Sequence, residues 1–148
     1  MTSKPATAEK EKISVNTYLF FDGRCEEAME YYRRTLGAEV TMLVRFKDSP
    51  DPGMCAPGAE EKVMHATFRV GDAAMMASDG RNEGKANFQG FSVSLTVPGE
   101  AAADRLFAAL AEGGKVEMPL TKTFFSPRFG MVADRFGVSW MIHVASAP

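Results

Sequence analysis

The sequence predicts an α+β protein of two tandem βαβββ modules, forming a curved mixed sheet around a cavity with the helices on the outer face. Three observations carry this expectation. Two stretches superpose at one constant offset: Leu19 falls on Leu95, Phe21 on Val97, Tyr31 on Phe107, Gly37 on Gly113 and Val40 on Val116, each pair 76 positions apart. Self-similarity at fixed spacing marks a duplicated unit. Each copy opens with a strand, breaks at a turn and continues at helical spacing. Three further strand-like runs follow each helix.

Residues Ile13 to Phe21 read as the first strand, broken by Asp22 and Gly23. Glu26, Glu27, Ala28, Tyr31, Tyr32 and Leu36 then recur as one face of a helix. Asp22 is placed to cap it, the acidic pair suits its positive first turn, Arg33 and Arg34 suit its last, and Gly37 permits a left-handed stop. Ala38 to Phe46, Val63 to Val70 and Ala73 to Ala77 complete the first module. In the second, the strand Phe91 to Val97 breaks at Pro98 and Gly99, and a helix carries Ala103, Leu106, Phe107 and Leu110 up to Gly113. Lys115 to Thr123, Gly130 to Ala133 and Val138 to Val144 read as its remaining strands. The expected organisation is a flexible tail over residues 1–12 and one domain over 13–148. Within that domain 13–78 and 88–144 are the modules and 79–87 the linker. The Pro- and Gly-rich stretch Lys47 to Glu61 reads as a long loop, a lid or a disordered segment.

Composition narrows the function. With 148 residues, 45% of them hydrophobic, the chain can bury a core without staples. Seventeen basic residues against 19 acidic ones leave no basic stripe, which argues against nucleic acid. Cys25 and Cys55 lie too far apart for a CxxC metal knuckle and suit a reducing cytoplasm. No apolar run approaches the roughly 20 residues that span a bilayer, so no membrane partner is expected. There is no GxSxG element and no phosphate-binding loop.

Strand alternation locates the candidate pocket. Phe91, Val93, Leu95 and Val97 alternate with Ser92, Ser94 and Thr96, and the apolar set is expected to meet the helices. By the same rule Val15, Thr17, Leu19 and Phe21 take the helix side, leaving Ser14, Asn16, Tyr18 and Phe20 opposite. His65 and Thr67 oppose Met64, Ala66, Phe68 and Val70; Ser139, Met141 and His143 oppose Val138, Trp140 and Ile142. The face away from the helices therefore mixes hydroxyls, an amide, two imidazoles and large apolar groups, as small-ligand pockets do. The alternative is a solvated sheet face, which Tyr18, Phe20 and Met141 disfavour.

The segments FFDGRCEEAMEYYRRTLGAEV, KVMHATFRVGD with MMASDG, ADRLFAALAEGGKVEMPL and FGMVADRFGVSWMIHV together resemble the PhnB-like branch of the vicinal oxygen chelate superfamily. That superfamily includes glyoxalase I, extradiol dioxygenases and antibiotic-binding resistance proteins, and one scaffold hosts many activities. The resemblance implies a homodimer. It also implies four metal positions on the concave face, which fall on Asn16, Ser92, Met141 and Ala77 or Ser78. An amide, a hydroxyl and a thioether are poor replacements for the His and carboxylate ligands of Zn²⁺, Fe²⁺ or Mn²⁺. No metal and no cofactor are therefore expected, and glyoxalase or dioxygenase chemistry is disfavoured. Relatives are often labelled demethylubiquinone methyltransferase-like, yet the Gly-rich turn of a Rossmann methyltransferase is missing.

These readings give a small-molecule binder or metal-free catalyst. His65 is the candidate proton-transfer group, or only a hydrogen-bonding wall residue. Asp79 is its candidate partner, or only a turn residue before Gly80. Asn16, Tyr18, Phe20, Arg45, Ser92, Phe125, Met141 and His143 are the candidate ligand contacts. Arg45 and Arg128 are candidates for an anionic group, and Phe124, Phe125 and Phe129 for a hydrophobic lid or an interface. The competing readings are a metal-dependent lyase or oxygenase with His65, Asp79 and His143 as unorthodox ligands, and a partner-binding module without catalysis.

Overall fold

A computed structural model describes residues 11–51, 53, 55, 57–80 and 84–145. Most of the expected tail and the linker residues 81–83 lie outside them. The elements run β1 (Tyr18–Phe20), α1 (Cys25–Leu36), β2 (Glu39–Arg45), β3 (Val63–Val70), β4 (Ala73–Ser78), β5 (Val93–Val97), α2 (Glu100–Ala111), β6 (Lys115–Thr121), β7 (Phe129–Ala133) and β8 (Ser139–Val144). The tandem βαβββ order is present. The described strands form two four-stranded mixed sheets, β1-β4-β3-β2 and β5-β8-β7-β6, and no closed barrel. In each sheet the first strand runs parallel to the last and the other pairings are antiparallel.

The first strand is shorter than alternation suggested. Val15 is 90% exposed and does not reach the helix side. Pairing begins where the Thr17 carbonyl accepts from Met76 N–H at 2.9 Å. The capping expectation also changes. Asp22 sits at φ 50° and its carboxylate accepts from the Lys85 N–H. The helix N-cap is Arg24, without a side-chain cap. Asp79, at the end of β4, satisfies the helix start from a distance. Its Oδ1 accepts from Gly23 N–H at 2.7 Å and Cys25 N–H at 2.8 Å, and its Oδ2 accepts from Val63 N–H at 2.8 Å. A carboxylate there neutralises orphan donors and the positive end of the dipole together. At the other end Gly37 takes φ 67°, the left-handed stop that glycine adopts without strain.

The long loop is tied at its base. Phe46–Asp48 forms a 3-10 turn, and Phe46 N–H and Lys47 N–H donate to the Lys62 and Glu60 carbonyls at 3.0 Å each. A β-bulge interrupts β2 between Val40 and Met42, and the repeat places its equal in β6 between Val116 and Met118. Bulges re-aim a side chain, and the two extra residues are Thr41 and Glu117.

The modules meet through α1. Tyr32 is fully buried between Phe68 of the first sheet, 5.8 Å away and stacked, and Trp140 of the second, 5.5 Å away. Its hydroxyl donates to Asp134 Oδ2 at 2.5 Å, and Trp140 Nε1 donates to the same oxygen at 2.9 Å. Asp134 Oδ1 accepts from the Phe136 and Val138 N–H groups at 2.8 and 3.1 Å, so this buried carboxylate is fully used. Burial first, then the Asp134 charge, hold the Tyr32 phenol well above its ordinary pKa. Phe136 adds an edge contact with Phe21 at 5.7 Å and lies under the Arg24 guanidinium at 4.4 Å.

Candidate ligand-binding site

On the first sheet the register places Tyr18 beside Met76, Met76 beside Thr67 and Thr67 beside Met42, all on one face. The neighbouring row of Leu19, Ala77, Ala66 and Leu43 faces the helices, and its first three members are buried. The alternation expected for β1, β3 and β8 is therefore seen in their burial. Tyr18 and Phe20 are 36% and 56% exposed, while Leu19 between them is buried. The Tyr18 hydroxyl lies 3.0 Å from His65 Nδ1, and Thr67 Oγ1 lies 3.1 Å from Nε2. Two tautomers satisfy this chain. Either Tyr18 donates to Nδ1 and Nε2–H donates to Thr67, or both bonds reverse. Tyr18 also packs on Phe20 at 4.9 Å, giving the imidazole an aromatic flank.

Beside this flank is a cavity of about 390 Å³, lined by Tyr18, Phe20, Asp22, Asp79, Gly80, Lys85, Ala86, Asn87, Phe88 and Phe91. Its far wall is the segment read from sequence as a linker. Lys85 is pinned by its N–H bond to Asp22, and Phe88 packs on Phe21 at 5.4 Å and on Phe91 at 6.5 Å. Phe91 was expected on the helix side. It precedes β5, is substantially exposed and borders the cavity instead. The aromatics at 88 and 91 were the available signal for this wall. Alternation hid it by assigning Phe91 to a strand that starts two residues later.

The second sheet presents Ser92, Ser139, Met141 and His143 on the matching face. Ser92 Oγ lies 2.7 Å from Ser139 Oγ, and Ser139 Oγ donates to Glu117 Oε1 at 2.9 Å. Glu117 was not singled out by sequence, because only the bulge turns it to this face. Phe125 stacks on His143 at 6.1 Å and meets Phe129 edge-on at 5.2 Å. Its loop is fixed by Ser126, whose hydroxyl oxygen lies 2.7 Å from both the Arg128 and Val144 carbonyls, with one proton to share between them. Phe124 at the tip is fully exposed.

Other candidates have different surroundings. Asp79 is 1% exposed and its three backbone bonds occupy both oxygens, so it holds the helix start and does not hydrogen-bond His65. Arg45 forms a bidentate pair with Glu26 at 2.9 and 2.7 Å and also donates to the Glu61 carbonyl. That hydrogen bond is the main cause holding the Glu26 carboxyl below its ordinary pKa. Arg128 lies between Glu100 at 3.5 Å and Asp104 at 3.3 Å. Both arginines thus already have carboxylates of this chain. Burial, with Asp79 nearby, pushes the Cys25 thiol far up, which makes it a packing residue rather than a nucleophile.

Register also corrects one metal position. Tyr18 pairs with Met76 as Ser94 pairs with Met141, so the counterpart of Met141 is Met76, not Ala77 or Ser78. Asn16 Nδ2 donates to the Ala74 carbonyl at 3.0 Å, and Ser92 is bonded to Ser139. Asn16, Met76, Ser92 and Met141 do not fit a hard or borderline divalent ion. Among the described residues no three His, Cys, Asp or Glu side chains gather as a metal-binding group, so His65, Asp79 and His143 are not brought together.

A family model described as 3-demethylubiquinone-9 3-methyltransferase matches residues 13–143. The chain belongs to this family. Protein YjdN of Escherichia coli (strain K12) is 37% identical over 140 residues, 89% of this chain and 95% of that protein. The crystal structure of protein PA1353 from Pseudomonas aeruginosa is 42% identical with a TM-score of 0.81, covering 92% of this chain and 100% of that one. A putative 3-demethylubiquinone-9 3-methyltransferase, PhnB protein, from Bacillus cereus is 32% identical with a TM-score of 0.75, covering 90% and 100%. A glyoxalase-related enzyme from Fulvimarina pelagi, 17% identical over 90% of this chain and 88% of that one at a TM-score of 0.58, shares the fold alone. The resemblance to the PhnB-like branch of the glyoxalase fold superfamily thus holds. The activity in the family description is a separate matter. Here two mostly antiparallel sheets stand where a Rossmann methyltransferase has a parallel one, and only Gly23 follows β1 in the turn to the helix.

Proposed function

We propose that this PhnB-like family member binds a small organic molecule in the cavity beside Tyr18, Phe20 and His65, without the metal site of its superfamily. The observation that carries the reading is a cavity of about 390 Å³ lined by Phe20, Phe88, Phe91 and Tyr18, the last with its hydroxyl in the hydrogen-bonded chain Tyr18–His65–Thr67. Apolar walls with a few directed polar groups are the usual lining of ligand sites. Asn16, Ser92, Met141, His143 and Phe125 extend the contact surface. Arg45 stands aside from it through its pair with Glu26.

A second copy of the chain completes the site in this proposal. Tyr18, Phe20, Met42, Met118 and Phe125 are exposed on one chain, and neither sheet closes on the other. A cytoplasmic location is part of the same reading: no disulfide joins Cys25 and Cys55, and no described helix is long and apolar enough to cross a membrane.

The hydrogen-bonded imidazole favours a second reading in which His65 relays a proton. Tyr18 and Thr67 then set its tautomer as positioning residues, and Asp79 has no part. A thermal-shift screen of aromatic, thiol-conjugate and antibiotic compounds tests the primary reading. Ligands that bind only the native state raise the melting temperature by mass action. The expected hits shift wild type and lose that shift in Phe20→Ala. No response from any class sinks the proposal.

A further inference from the structure

We infer that Glu117, Ser139 and Ser92 form a donor-selective subsite on the second sheet, which takes the protonated amine of an organic ligand. This rests on the ligand-binding reading above and adds a ligand class to it.

The bulge between Val116 and Met118 brings the Glu117 carboxylate to Ser139, which donates to its Oε1 at 2.9 Å. A carboxylate only accepts, so the single hydroxyl proton of Ser139 is committed to Glu117. The 2.7 Å bond between Ser92 Oγ and Ser139 Oγ must then be donated by Ser92. With that proton committed too, Ser92 presents only lone pairs to a ligand. Its oxygen and Glu117 Oε2 together make an acceptor-only site.

The charge of Glu117 is available to a ligand as well. Among the described residues no cationic side chain forms an ion pair with it, so at this exposed position its charge is not neutralised within the chain. An N–H donor that carries positive charge meets both features through charge-assisted bonds. Met141, which lies beside Met131 on this face, offers adaptable apolar contact to the carbon part of the ligand.

The first module is a built-in control. Its bulge residue is Thr41, which donates to the Thr67 carbonyl at 3.3 Å. Asn16 occupies the place of Ser92 and donates to the Ala74 carbonyl. Among the described residues no carboxylate fixes the direction of hydrogen bonding there. The repeat therefore supplies the same scaffold twice, and only the second copy is polarised.

The test uses the full chain, with amide NMR spectra followed during titration with benzylamine, phenylacetate and benzyl alcohol at neutral pH. Benzylamine is expected to perturb the Ser92 and Ser139 signals and to bind at least about tenfold more tightly than phenylacetate, the size of one charge-assisted contact. In Glu117→Gln the hydrogen-bond direction is no longer imposed, and the preference should fall to within about threefold. That change in ratio is a readout that a purely structural role for Glu117 would not move. Equal binding of amine and carboxylate, or an unchanged ratio in Glu117→Gln, overturns the inference. Responses confined to Tyr18, His65 and Phe88 overturn it while leaving the first cavity as the ligand site. Silence at both places with all three probes overturns the inference and leaves the first cavity to be decided by the thermal-shift screen.

Discussion

Replacing Asp79 by Asn should cost the fold far more than an isosteric change on a sheet end normally would. The carboxylate is 1% exposed and accepts three backbone hydrogen bonds at 2.7 to 2.8 Å, two at the start of α1 and one at Val63. An Asn side chain has one acceptor atom. If its oxygen keeps Gly23 and Cys25, its amide nitrogen faces the Val63 N–H, donor against donor. The stranded N–H costs about 1–3 kcal/mol, and the two retained bonds lose their charge assistance, about 1 kcal/mol each. The helix also loses a compensating charge, roughly 0.5 kcal/mol. The expected loss is about 3.5–5.5 kcal/mol. Urea unfolding followed by circular dichroism and by Trp140, the single tryptophan, measures it. A loss below about 1 kcal/mol would refute the structural role and favour a chemical one for Asp79.

Three further outcomes follow from the contacts. Tyr32→Phe removes the hydroxyl that α1 gives to buried Asp134; urea unfolding should show a loss of about 2 kcal/mol, the scale of a hydrogen bond to a charged group. Glu26 should titrate below the ordinary carboxylate range in an NMR pH series, because Arg45 holds its charged form, and Arg45→Gln should return it. Since the folded pKa is the lower one, this pair stabilises the protein above the unfolded carboxyl pKa. Its contribution fades as pH falls through the folded value. For so exposed a pair the change in stability should be small.

The fold was legible because duplication is written in matched residues. Leu19 with Leu95 and Gly37 with Gly113 set both modules in register before any pairing was known. Burial on the strands was legible for the same reason that alternation works: Trp140 and Ile142 are buried while Met141 and His143 are not fully so. Contacts between distant segments were not legible. Asp79 caps a helix that begins 54 residues earlier, a relation no local pattern carries. Asp22, beside that helix, looked like the cap and is held by Lys85 instead. The cavity wall at Phe88 and Phe91 was hidden because a strand was drawn too long, and Glu117 because a bulge breaks the period on which alternation depends. Spacing alone could not identify the counterpart of Met141 in the first module; register was needed to assign it to Met76.

The claim that a small organic molecule occupies the first cavity is tested most directly by one dissociation constant. The strongest hit of the thermal-shift screen is titrated calorimetrically into wild type and into Phe20→Ala. Phe20 is 56% exposed and 4.9 Å from Tyr18, so its truncation should leave the fold intact while removing an apolar wall of the cavity. Losing most of that contact is worth about 1.5 kcal/mol, and the account predicts binding weakened about tenfold or more. Equal affinity for both proteins would contradict it and move the ligand away from Tyr18, Phe20 and His65.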